Sequence, residues 1–280
     1  MIKSLERISW PARLTLVVLL AIMTIPLLWG VSLSFRSNTE IAAMSGFGIQ
    51  SFIPEHFTII NYQNFFSSVN FLRVLATTLY VCGAVTLASV LTDAMAAFAF
   101  ARMRFPGRDI LFSAVLATMI LPLELLIIPL YSQVRDMGMI NKLSGIIIPF
   151  TANGFGIFFL RQFIKGVPNE LEEAATIDGC GRWRLFGQII LPLCRTALIT
   201  LGTIQFLAQW DGFLVPVTFI SEPSKAVLQV VLADLHSGVY FNDYGILYAG
   251  ITVGSLPIIL LFVFIQKYYM DGIASTGIKG

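Results

Sequence analysis

Four carboxylates, Glu170, Glu172, Glu173 and Asp178, crowd into nine consecutive residues, and three more, Asp93, Glu124 and Asp211, stand alone in strongly apolar surroundings. Carboxylates in such settings serve as general acids and bases, carry protons, or pair with a partner's cations. Other reactive groups are scarce. Cys82, Cys180 and Cys194 form no CxxC pair, and with His56 and His236 they are too few for a disulfide framework or a complete zinc site. No GxxxxGK[ST] is present, so the chain lacks the backbone cradle that holds nucleotide phosphates. Any ATP used with this chain is therefore bound by another subunit.

The elements that must position these acids are set by composition. Of 280 residues, 56% are hydrophobic and 12% charged, with a mean hydropathy of +0.81. A soluble domain carries roughly 25% charge, so this surface cannot face water throughout. A disordered chain is excluded by the apolar content, and a basic nucleic-acid binder by a net charge of only +2. The chain reads as an all-α integral membrane protein.

A bilayer core about 30 Å thick needs about 20 apolar residues per helix. Six stretches reach that length, near 14–35, 72–101, 110–132, 144–164, 195–220 and 246–268. Together they form a single transmembrane domain over 1–280. Pro26, Pro122, Pro129, Pro149, Pro216 and Pro257 fall inside them, and neighbouring helices can satisfy the carbonyls that they free. The first stretch follows Lys3, Arg7 and Arg13 like a signal peptide. It is longer than a signal h-region and ends without an A-x-A-like site, so it counts as a helix.

Sorting the 18 basic residues by loop gives the orientation. Lys3, Arg7, Arg13, Arg102, Arg104, Arg108, Arg161, Lys165, Arg182, Arg184, Arg195, Lys267 and Lys279 lie on one side, and Arg36, Arg73, Arg135, Lys142 and Lys225 on the other. The richer side is cytoplasmic. Both termini are then expected in the cytoplasm, with 36–71 and 221–245 as external loops.

Between the fourth and fifth spans lies the most informative segment, 166–192. Pro168 suits a first helical turn, Glu170, Glu172 and Glu173 favour its positive end, and Ala174 and Ala175 add helix propensity. A helix is expected over about 168–177, a turn at Asp178-Gly179-Cys180-Gly181, and a second helix from Arg182 to Ile190 ending before Pro192. A plain connection takes about two to eight residues, whereas this one is far longer and carries two amphipathic pieces. It reads as a docking surface.

Glu173-Ala174-Ala175, then Gly179, Ile189 and Leu191-Pro192 resemble the EAA motif of membrane permease subunits of bacterial binding-protein-dependent ABC importers. Phe105-Pro106-Gly107, Leu121-Pro122, Pro129-Leu130-Tyr131, Phe159 to Phe163 and Trp210 to Pro216 are similar to the MalG-type, carbohydrate-importing branch. The resemblance implies a six-helix MetI-like permease fold in the inner membrane, with a cytoplasmic coupling helix. The implied coupling residues are Glu172, Glu173, Ala174, Ala175, Asp178, Gly179, Leu191 and Pro192. It further implies a second homologous permease, two copies of an ATPase subunit carrying the ATP and magnesium, and an extracytoplasmic solute-binding protein. This chain would bind no cofactor, metal or nucleic acid and perform no catalysis.

Acids inside spans cost about 2.5 to 3.5 kcal/mol each at the bilayer centre, so they face a cavity or a partner. Glu124, Gln205, Gln209, Trp210, Asp211 and Phe213 combine acceptors, amides and aromatic faces, a mixture suited to sugar hydroxyls and ring CH groups. They form the candidate solute path. Trp210 and Phe213 also fit plain packing, and Asp93 fits a pairing between helices where Ala94 to Ala97 allow close approach. Gly250 to Gly254 is a GxxxG pattern expected to pack, against the partner permease among other surfaces. A sugar, glycoside or sugar-like compatible solute is favoured, with glycerol-3-phosphate or a glycerophosphodiester as the alternative. A membrane enzyme or proton-coupled transporter using the same acids forms a different class, the latter expected to show an internal repeat that is not found here.

Overall fold

The computed structural model describes residues 9–44, 46, 48–237 and 243–276, all helix, turn or coil. Lys3, Arg7 and Lys279, used above for orientation, and residues 45, 47 and 238–242 of the expected external loops lie outside the described residues. In chain order the helices are α1 (Trp10–Ser34), α2 (Asn38–Ala43), α3 (Ile60–Ser68), α4 (Phe71–Arg102), α5 (Arg108–Thr118), α6 (Leu123–Asp136), α7 (Leu143–Ile147), α8 (Gly154–Lys165), α9 (Asn169–Ile177), α10 (Arg182–Leu193), α11 (Arg195–Trp210), α12 (Leu214–Phe219), α13 (Leu228–Ser237) and α14 (Tyr244–Thr276).

Four segments are long and apolar enough to cross a membrane unaided: Trp10–Ser34, Phe71–Arg102, Leu143–Lys165 and Tyr244–Gln266. Two bent pairs bring the number to six if each counts as one span. The expected 110–132 stretch is one of these pairs, α5 and α6, bent by 105°. Pro122 supplies no amide and disfavours helix at Leu121, so α5 closes on Met119 and Ile120 amides, and α6 starts afresh. The expected 195–220 stretch is also divided. α11 stops at Trp210, residues 211–213 are non-helical around Gly212, and α12 resumes at Leu214.

The chain forms two compact units. One joins the chain through Phe71 to Leu232–Pro257. Its core is Phe65, Leu235, Ile246 and Ala249. Gly250 sits so close to Phe65 and Leu232 that an added Cβ would lie 2.9 Å from each. The GxxxG glycine therefore packs, as expected, and does so against its own chain. Just past α1, buried Arg36 donates to Glu40 at 2.8 Å and to the Gln50 and Ile53 carbonyls at 2.9 and 2.6 Å. Asn61 Nδ2 donates to the Ser34 and Arg36 carbonyls, satisfying acceptors that the end of α1 leaves open.

The other unit holds Leu72–Val231 with the chain from Ile258. Two cores stabilise its described part. One packs Ala97 and Phe98 of α4 with Leu160 and Ile164 of α8, Phe186 and Ile190 of α10, and Leu201 of α11. The second packs Val85, Val134, Ile146 and Phe219. Both candidate sites are built on this unit.

Candidate functional site

The loop after α8 folds as the sequence implies through its first helix. α9 starts at Asn169 behind Pro168, with Glu170 and Glu172 in its first turn. It ends in a complete Schellman closure: Cys180 N donates to Ala175 O at 2.9 Å and Gly179 N to Thr176 O at 3.0 Å. Gly179 holds φ at +76°, the left-handed conformation that this closure needs. The second helix departs from expectation. It does not stop before Pro192 but continues to Leu193, then bends by 79° into α11. Pro192 can sit within it because the preceding turn widens to a π-turn over Phe186–Ile190, which relaxes the ladder where the proline amide is missing.

Within this loop the implied coupling residues divide by face. Glu173, Ala174, Asp178 and Gly179 are exposed. Ala175 is buried in the chain's own core beside Leu185 and Phe186. Glu172 also turns inward, its Oε1 2.5 Å from Arg102 Nε in a charge contact that lacks hydrogen-bond alignment. Burial pushes the Glu172 carboxyl up from its ordinary range, and Arg102 pulls it partly back. Leu191 is half-buried and Pro192 exposed at the bend. The outer face adds Ile177 and Trp183, which are 86% and 78% exposed.

The candidate path residues also divide. Glu124, Gln209 and Phe213 line one cavity of about 170 Å³ with Thr78, Cys82, Phe150 and Gly212. The breaks that divide the expected 110–132 and 195–220 stretches supply this wall: Glu124 is in the first turn of α6, and Gly212 and Phe213 follow α11. Gln205 and Trp210 are buried and do not line the cavity; Trp210 stacks on Phe206 at 6.1 Å. Asp211 is exposed and also lies outside the lining. Among the described residues no cluster of His, Cys, Asp and Glu is arranged for a metal.

Sequence reasoning passed over three residues that organise the chain, Arg102 at the coupling loop and Arg36 and Asn141 away from it. Arg102 was counted only as cytoplasmic charge, yet it binds both α8 and α9. Arg36 was counted only as external charge, although Glu40 at i+4 was a local sign of its pairing. Asn141, at φ +59°, accepts the Ser221 and Glu222 amides at 3.2 and 3.0 Å and so joins two loops. Its signal was the Gly138 to Asn141 turn composition.

The chain belongs to the family of binding-protein-dependent transport system inner membrane components, which matches residues 93–274. It is thus a membrane permease of that transport class. The diacetylchitobiose uptake system permease protein NgcG of Streptomyces coelicolor is 34% identical over 249 residues, covering 88% of this chain and 81% of its own. The arabinooligosaccharides transport system permease protein AraQ of Halalkalibacterium halodurans is 31% identical over 274 residues, covering 98% and 97%. In a solved structure of a bacterial ABC transporter involved in the import of the acidic polysaccharide alginate, one chain shares the fold, with a TM-score of 0.79 at 21% identity over 92% of this chain and 95% of that one.

Proposed function

We propose that this chain is one of two permease subunits of an ATP-driven importer for a sugar, glycoside or sugar-like compatible solute. It forms half of the path through the bacterial inner membrane, with both termini in the cytoplasm. Its loop 166–192 docks on one of two ATPase subunits, which carry the ATP and magnesium, and an extracytoplasmic binding protein delivers the solute. The chain itself carries motion and a route and makes or breaks no bond.

The observation that carries this reading is the outer face of α9 and α10. A capped helix presents Glu173 and Ala174 outward while Ala175 anchors it from within, and Ile177 and Trp183 lie exposed beside it. A simple connection has no use for such a face. Small side chains let a partner approach closely, and Glu173 offers a charge that gains value when partly desolvated.

Solute class is supported by the cavity and the relatives. Among the described residues Glu124 is its only charged lining residue, with no Arg or Lys to hold a phosphate. Gln209, Thr78 and the Phe150 and Phe213 rings suit hydroxyls and sugar CH faces. Relatives named for diacetylchitobiose and arabinooligosaccharides point the same way. At about 170 Å³ the cavity is smaller than the roughly 300 to 1,000 Å³ of a complete ligand site, so the second permease supplies the rest. An uptake panel of labelled disaccharides, glycosides, polyols and glycerol-3-phosphate, in cells with and without this chain, tests the reading. Loss confined to neutral glycosides supports it; loss confined to glycerol-3-phosphate overturns the solute class.

A further inference from the structure

Arg102 is the last residue of α4, a helix of 32 residues. At 1.5 Å per residue it is about 48 Å long, more than a bilayer core about 30 Å thick requires. At its end the Arg102 guanidinium meets two other elements at once. Nη2 donates to the Ile164 carbonyl in the last turn of α8 at 2.8 Å and to the Val167 carbonyl in the linker that follows it at 2.5 Å. Nη1 donates to Asn169 Oδ1 at 2.6 Å, and Nε contacts Glu172 Oε1 at 2.5 Å, both in the first turn of α9.

The α4 and α8 helices are tied at further points. Arg161 of α8 donates to Phe100 O at 3.2 Å, and Asp93 accepts the Asn153 amide at 2.8 Å where α8 begins. Thr92 donates to Thr151 O beside it. These contacts make α4 and α8 one braced pair, whereas α9 hangs from α8 by the three residues Gly166 to Pro168. Ala175 anchors α9 in the shared core by packing, and Arg102 spans that gap with polar contacts.

We infer that Arg102 is the transmission residue of this permease, fastening the coupling helix α9 to the membrane-spanning helix α4 so that a push on α9 moves α4. The inference rests on the proposed role of α9 as the ATPase-docking helix. The planar fork is essential, because one guanidinium reaches carbonyls at and just beyond the end of α8 while holding an amide and a carboxylate on α9. A lysine ammonium offers a point charge and cannot span that spread.

The test uses the intact complex, purified with its partner permease and ATPase and reconstituted in proteoliposomes with loaded binding protein outside. Copurification of the ATPase is scored first; its absence from the wild-type complex sinks the docking role of α9 itself, before any variant is compared. With assembly intact, R102A should lower solute taken up per ATP hydrolysed by about tenfold or more, and R102K should recover only part of it. The double variant N169A/E172Q cuts only the α9 arm and leaves Arg102 on the Ile164 and Val167 carbonyls; it should lower the same ratio, and it decides the matter if R102A fails to insert. An unchanged ratio in the double variant, or loss of the ATPase from the R102A complex, overturns the assignment.

Discussion

The Asp93 carboxylate accepts a hydrogen bond from the Asn153 amide at 2.8 Å and packs against Gly156 so closely that a Cβ there would collide with Asp93 Oδ2. A buried acid of α4 is thus held at the N-cap of α8, where Asn153 Oδ1 takes the Phe155 and Gly156 amides and Asp93 Oδ2 stays buried without a hydrogen-bond partner.

That contact sets the first prediction. Gly156→Ala should cost about 1 to 3 kcal/mol through overpacking, because the Leu201 side chain stands only 3.2 Å from the added carbon on a second side. Asp93→Ala removes one obstacle, so the two changes together should cost less than their sum. Thermal unfolding of the detergent-purified complex measures the cycle. Strict additivity would mean that the two residues do not touch.

Arg36 yields a second. Replacing it with Ala leaves Glu40 and the Gln50 and Ile53 carbonyls without their buried donor, at a cost of about 3 to 5 kcal/mol. Residues 37–56 should become sensitive to protease added outside right-side-out cells. Wild-type resistance in Arg36→Ala would show that the network does not hold this segment.

Much of this architecture was legible in the sequence, and the part that was not has a common cause. Membrane helices declare themselves by local apolar length, and α9 by local signals: Pro168 ahead of it, acids in its first turn, Gly179 after it. The 79° bend escaped because Pro192 reads as a helix stop, and the π-turn that accommodates it has no compositional mark. Arg102 and Asn169 lie 67 residues apart, and Asp93 and Asn153 lie 60 apart. Such pairs are chosen by tertiary packing, which no local spacing encodes. The cavity suffered likewise: Glu124, Gln209 and Phe213 converge on it, whereas Trp210, beside Gln209 in sequence, turns into the packed interior.

Gly179 supplies a third prediction. Its φ of +76° suits glycine, is tolerated by asparagine and opposes a β-branched residue, although nothing stands within 4 Å of an added Cβ. Uptake should therefore fall in the order Gly, Asn, Val, while capture by the external binding protein is unaffected. Equal uptake by Gly179→Val would remove the closure of α9 from any role in transport.

Glu172 gives the pH dependence. Burial holds its carboxyl above the ordinary 4.5, with Arg102 opposing. The folded state then binds this proton more tightly than the unfolded chain does. The contribution to stability is fullest below the unfolded value and falls as pH rises through the raised one. Between about pH 4 and pH 7, wild type should lose more thermal stability than Glu172→Gln. Parallel melting curves, or a steeper loss in the variant, would contradict that sign.

Docking of 166–192 on a separate ATPase is tested most directly by photocrosslinking in cells, with a reactive side chain placed in turn at Glu173, Ala174 and Ala175. Exposed Glu173 and Ala174 should each give an adduct containing an ATP-binding subunit, and buried Ala175 should give none. Adducts to no ATPase from either exposed position would contradict the coupling role on which the proposed function stands.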